Sequence, residues 1–165
     1  MPSSQIRLFP DPILRQVSAP VQVFDSNLSK LIKRLVAVMK KQASGIGIAA
    51  PQIGVGQRVA VVDVSARIPA AERLILVNPV ILEMAEPIGS REGCMSLPEY
   101  TADLKRYQWI RVRWQDEAGR FHEKATQGIE AICIQHEVDH LEGKLFIDRV
   151  ISLKTDMLPR LLKRQ

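Results

Sequence analysis

Two histidines four residues apart, His136 and His140, flank a glutamate at Glu137 in the run His136-Glu137-Val138-Asp139-His140. On a helix, residues at that spacing stand one turn above each other on one face. Two imidazoles so placed can grip a single metal ion. The glutamate next to the first histidine falls beside that face, where it can reach a water on the ion without ligating it. This is the chemistry of a metal-dependent hydrolase, with Glu137 as general base.

A catalytic ion needs a third protein ligand and an open position. His122 lies in a predicted hairpin, away from other ligand types, and reads as an exposed strand residue. Cys133 lies three residues before His136 but seven before His140, about 10 Å along a helix axis. It reads better as part of the wall beside the site. Cys94, in Glu92-Gly93-Cys94-Met95-Ser96, is the better ligand, because a thiol beside a dication is readily deprotonated and Gly93 lets the backbone come close. Ile129, Ile132 and Cys133 lie one turn before the histidines on nearly the same face, a possible apolar wall for a substrate side chain; ordinary core packing explains them equally well.

Gly45-Ile46-Gly47-Ile48-Ala49-Ala50-Pro51-Gln52 is glycine-rich, yet it lacks both the third glycine of a dinucleotide loop and the Gly-Lys-Ser/Thr of a P-loop. Its small residues, Gly45, Ile46 and Gly47 first among them, suit close approach of the backbone to a ligand or to the metal helix. The Gln52 amide is able to donate to an oxyanion.

The elements that must position these groups follow from periodicity. Prolines 2, 10, 12 and 20 make the start extended or turn-like. Leu28, Leu31, Ile32, Leu35, Val36 and Met39 recur at helical spacing behind candidate caps at Asp25, Ser26 and Ser29, and Gly45 ends that helix. Strands are expected at Val59 to Val64, Leu74 to Val77 and Val80 to Leu82, the last two separated by Asn78-Pro79. Ile110, Val112 and Trp114 alternate with Arg111 and Arg113, and Asp116 to Gly119 turns the chain into a strand from Arg120 to Ala125. The metal helix should run from about Ile129 to Leu141, with Gly143 closing it. This order predicts an α+β fold, antiparallel strands packed around a central metal-binding helix.

At 165 residues the chain fits one domain, 1–165, ending in a basic amphipathic segment over 152–165. Two cysteines are too few for a disulfide scaffold, the N-terminal residues do not read as a basic-then-apolar leader, and no apolar run approaches the ~20 residues of a membrane span. A cytoplasmic protein without a membrane partner is therefore expected. The net charge of +5 is scattered, which argues against sequence-specific nucleic-acid binding.

The three motif stretches, in this order, resemble the signature of the peptide deformylases. Pro10-Asp11-Pro12, Arg58 to Asp63 and Gln135 to Arg149 extend the likeness over roughly residues 6 to 150. The resemblance implies an amidase that removes the formyl group from the N-terminal formyl-methionine of newly synthesised polypeptides. It implies Cys94, His136 and His140 as metal ligands, Glu137 as general base, and Gln52 with the Met95 N–H as oxyanion donors. Met95 stands where the family commonly has Leu, and Thr101 where some members have an Arg that reaches outer parts of the peptide. Softness and geometry favour zinc for two imidazoles and a thiolate; the resemblance implies Fe²⁺, with Zn²⁺, Ni²⁺ or Co²⁺ able to substitute. An HExxH-type endopeptidase and a non-catalytic metal or redox module are the rivals; the cysteine ligand argues against the first, and Glu137 with Gln52 against the second. Lys154, Arg160, Lys163 and Arg164, with Leu158, Leu161 and Leu162 packing a short helix onto the domain, suit a ribosome contact near the exit of nascent chains.

Overall fold

The computed structural model describes residues 5–43 and 45–160. Helix α1 (Ser26–Lys40) starts where Asp25 accepts from the amides of Asn27 and Leu28, and its apolar stripe, Leu28, Leu31, Ile32, Leu35, Val38 and Met39, is buried. Five strands follow a single antiparallel path: β1 (Gly47–Ala49), β2 (Val59–Val62), β3 (Leu74–Cys94), β4 (Leu97–Gln115) and β5 (Phe121–Gln127). Then come α2 (Gly128–Leu141), the single turn α3 (Leu153–Asp156), and β6 (Met157–Pro159), which pairs with β4.

Strand β2 shows why the sheet needs a helix on each side. Val59 and Val61 join α1 in one core cluster, while Ala60 and Val62 join Ala131, Cys133, Ile134 and Leu141 of α2 in another. Buried on both faces, the strand is a continuous apolar run rather than an alternating one. Helix α2 is enclosed on most of its circumference, and it buries Glu130, Gln135, Glu137, Asp139 and His140 among its apolar residues. It ends at Gly143, whose φ of +72° and close contact with the Arg15 carbonyl suit only glycine.

Two expectations need correcting. Asn78-Pro79 does not divide two strands: β3 runs unbroken from Leu74 to Cys94, with a register shift between Val77 and Val80. Asn78 adopts φ +50°, and its side chain bonds the backbone of Val21 (2.8 and 2.9 Å) and Gln115 Oε1 (2.9 Å). Pro79 sits at the irregularity, where its missing N–H breaks no ladder bond. From Ile81 to Gly93 the only strand partner of β3 among the described residues is β4. Leu158 does not lie on a short helix either. A single turn gives way to β6, whose Leu158 pairs with Thr101; Pro159 is incompatible with a continuing helix. Leu161, Leu162, Lys163 and Arg164 lie outside the described residues.

Candidate metal centre and its cleft

Strand β3 ends at Cys94, and a tight turn through Met95 and Ser96 starts β4. This turn faces α2, so the thiol meets two imidazoles one helical turn apart. Single donor atoms of Cys94, His136 and His140 all lie within 4.8 Å of one another, and Cys94 Sγ is 3.3 Å from His140 Nε2. Burial alone would push the Cys94 thiol up, but the charges and hydrogen bonds of His140 and His136 hold it well below the ordinary thiol range. A thiolate with two imidazoles is a donor set that suits a first-row dication.

Glu137 is 3% exposed, and its Oε2 has no hydrogen-bond partner. Burial foremost holds this carboxyl above its usual range, against the opposing charges of His136 and His140. Gly47 makes room for it: a Cβ there would stand 2.7 Å from both Glu137 Oε1 and Cys133 Sγ. An unpartnered buried carboxylate oxygen beside three converging donors fits a site that takes up an ion together with a water.

Gln52 is oriented without ambiguity. Its Oε1 accepts from the Ala49 amide at 3.0 Å, which turns Nε2 toward Ser96 Oγ (3.2 Å) and Cys94 Sγ (3.6 Å). The amide donor therefore points into the cleft. Gln52, Cys94, His136 and Glu137 line a cavity of about 480 Å³ together with Gly45, Ile46, Gly47, Met95, Ile129, Ile132 and Cys133. His140, 1% exposed, is not among the lining residues and meets the site through Cys94. His122 is elsewhere, on β5, bonded to Asp116 (2.7 Å) and stacked on Trp114.

Sequence reasoning gave no role to the charges behind the ligands. Glu92 accepts from His136 Nδ1 (2.8 Å) and from Arg106 Nε and Nη2 (both 2.8 Å), while Arg106 Nη1 reaches Asp139 (2.6 Å). Arg149 closes the chain on Asp139 at 2.7 and 3.1 Å. The Glu92 bond leaves Nε2 as the ring nitrogen of His136 that can face an ion. Burial opposes the charge on Glu92, but Arg106 and His136 hold its carboxyl down at about 2. The available signal was position: Glu92 and Asp139 lie inside the ligand motifs, and a ligating histidine needs an acceptor for its other nitrogen.

The family model for polypeptide deformylase matches residues 3–156. A peptide deformylase of Mesorhizobium japonicum is 42% identical over 165 residues, covering 99% of this chain and 93% of that protein. One from Alkalilimnicola ehrlichii is 42% identical over 159 residues, covering 96% and 88%. Among solved structures, the peptide deformylase of Thermotoga maritima superposes with a TM-score of 0.83 at 40% identity, covering 90% of this chain and 98% of that one. The Synechococcus elongatus enzyme in complex with actinonin gives a TM-score of 0.85 at 35% identity, covering 93% and 82%.

Proposed function

The chain belongs to the polypeptide deformylase family and is a hydrolase that removes the formyl group from the N-terminal methionine of newly synthesised proteins; we propose that Cys94, His136 and His140 hold its metal ion and that Glu137 is its general base. The observation that carries this reading is the unpartnered Glu137 carboxylate set beside three converging donor atoms.

The ion held by Cys94, His136 and His140 would acidify a water and draw electrons from the formyl oxygen. Glu137 is placed to take a proton from a water attacking the formyl carbon. Gln52 Nε2 and the Met95 N–H donate to the oxygen that gains charge in the tetrahedral intermediate. Glu137 then passes its proton to the departing amine, leaving formate and a free N-terminus. Ile129, Ile132 and Cys133 form the wall that receives the methionine side chain, and Gly45, Ile46 and Gly47 border the peptide's path.

We take the ion to be Fe²⁺, with Zn²⁺, Ni²⁺ or Co²⁺ able to occupy the same donors. No described helix is long and apolar enough to cross a membrane. The location we propose is the cytoplasm, because the substrate is a newly synthesised chain. Residues 1–165 are taken as one domain, with 152–165 as its C-terminal segment. For ribosome contact we propose Lys154, Arg160, Lys163 and Arg164 of the basic C-terminal segment. A chain ending at Arg160 and carrying Lys154→Gln keeps the residues of β6, so its co-sedimentation with ribosomes at low and moderate salt tests that contact; unchanged sedimentation removes Lys154, Lys163 and Arg164 from it.

The chemistry is tested by comparing formyl-Met-Ala-Ser with its unformylated and acetylated counterparts. Formate release from the first alone is expected. Cleavage of an internal peptide bond, with no need for the formyl group, would point to an endopeptidase.

A further inference from the structure

The cleft has an acidic floor and a basic rim. Glu137 lies at the floor beside Glu92, whose charge is matched by Arg106 and His136. Arg67, Arg91 and Arg160 stand around the mouth. Arg91 is committed to Asp103 through two bonds of 3.0 and 3.1 Å. Among the described residues, Arg67 and Arg160 form no ion pair.

Arg160 is placed there by pairing. Its amide donates to the Glu99 carbonyl at 2.8 Å, continuing the β6 ladder in which Leu158 faces Thr101, while Thr101 faces Gly93 on the other side. The side chain crosses β4 and sets Nη2 in the space that a Cβ on Gly93 would take. Gly93 is not among the positive-φ residues. Its backbone would admit a side chain, and the guanidinium takes that space. A planar fork of donors is thereby fixed one residue from Cys94, facing open cleft, in a geometry suited to a carboxylate.

We propose that Arg160, assisted by Arg67, is a specificity-determining residue that favours formyl-methionyl peptides bearing a side-chain carboxylate on the first or second residue after the methionine. This rests on the deformylase reading of the same cleft. With the formyl carbon at Cys94 and Glu137, an extended peptide advances about 3.5 Å per residue. Those two residues therefore leave the cleft at the level of the rim.

The test is kcat/KM of the metal-loaded enzyme on C-terminally amidated peptides: formyl-Met-Glu-Ser, formyl-Met-Ser-Glu, and the same pair with Gln or Lys in place of Glu. A preference for Glu over Gln of about three- to tenfold is expected at low salt, the span from an exposed ion pair to a charge-assisted hydrogen bond. It should shrink as salt rises. In Arg160→Gln the ratio falls toward one, and in Arg160→Lys part of it survives. Each ratio is taken within one preparation, so a change in folded fraction cancels. A parent ratio near one, a ratio unchanged in Arg160→Gln, or an equal loss on every peptide overturns the proposal; the last would mean that Arg160 reads the peptide backbone. A preference that appears only when the amide is replaced by a free C-terminal acid assigns the contact to the main-chain carboxylate, which also overturns it. Absence of formate from all peptides would instead sink the deformylase reading itself.

Discussion

Glu92→Gln separates two things that one carboxylate does. Glu92 and Arg106 are 8% and 4% exposed, so water screens neither charge. Removing one partner of a buried pair typically costs about 3–5 kcal/mol, because the other charge stays buried. The glutamine carbonyl still accepts one bond and Asp139 still holds Nη1 at 2.6 Å, which places the loss near the lower end, about 3 kcal/mol. For a chain of this size that corresponds to a fall in Tm of about 6–12 °C. His136 also loses the acceptor that fixes its ring, so metal affinity should drop by about 10–100-fold. Thermal unfolding of the metal-free protein reads the first effect, and competition with a chelator reads the second. The double variant Glu92→Gln/Arg106→Met removes both charges of the pair; it should regain much of the lost Tm but none of the lost affinity. A single variant that melts within about 2 °C of the parent and binds metal equally well would refute the reasoning.

Glu137→Gln should keep its metal and lose at least about 100-fold in kcat, as metal analysis and formate release will show; wild-type turnover would remove Glu137 from the mechanism. Gly47→Ala forces a methyl group against Cys133 and Glu137, each 2.7 Å from it, so a stability loss of about 1–3 kcal/mol with lower kcat is expected by denaturant titration and kinetics; parent-like values in both would contradict the packing. Ile132→Trp should raise KM for formyl-methionyl peptides more than it lowers Tm, and unchanged KM would place the methionine pocket elsewhere. An iron-loaded sample should lose activity in air faster than a nickel-loaded one, since both Fe²⁺ and the Cys94 thiolate are open to oxidation; equal half-lives would count against that account.

The parts of the site that lie on one element were legible in the sequence. His136, Glu137 and His140 share a helix, so their geometry follows from its pitch alone. Cys94 needed the additional rule that a catalytic ion takes a third protein ligand. Glu92 and Arg106 escaped because they meet across two strands and are then joined to α2; buried charges also contradict the habit of placing charge at the surface. The strand from Leu74 was cut short at Asn78-Pro79 because the pair signals a turn, and only the side-chain bonds of Asn78 to Val21 and Gln115 show how the strand passes through it. Residues 157–159 read as part of a helix because their pairing partner lies more than fifty positions earlier, at Tyr100 to Ala102.

The side of β3 that has no strand partner among the described residues, from Ile81 to Gly93, bears on how the protein behaves in concentrated solution. An open strand edge is a template on which a second chain could add, the first step toward aggregation. Here the edge interrupts its own pattern. The register slips between Val77 and Val80 and again between Ile81 and Glu83, Glu86 is turned to φ +63°, and Pro87 supplies no donor. Glu83 and Glu86 add charge along the same stretch. An incoming strand would meet a twisted, charged row of groups with a donor missing, so this side of the sheet resists growth by edge-to-edge stacking.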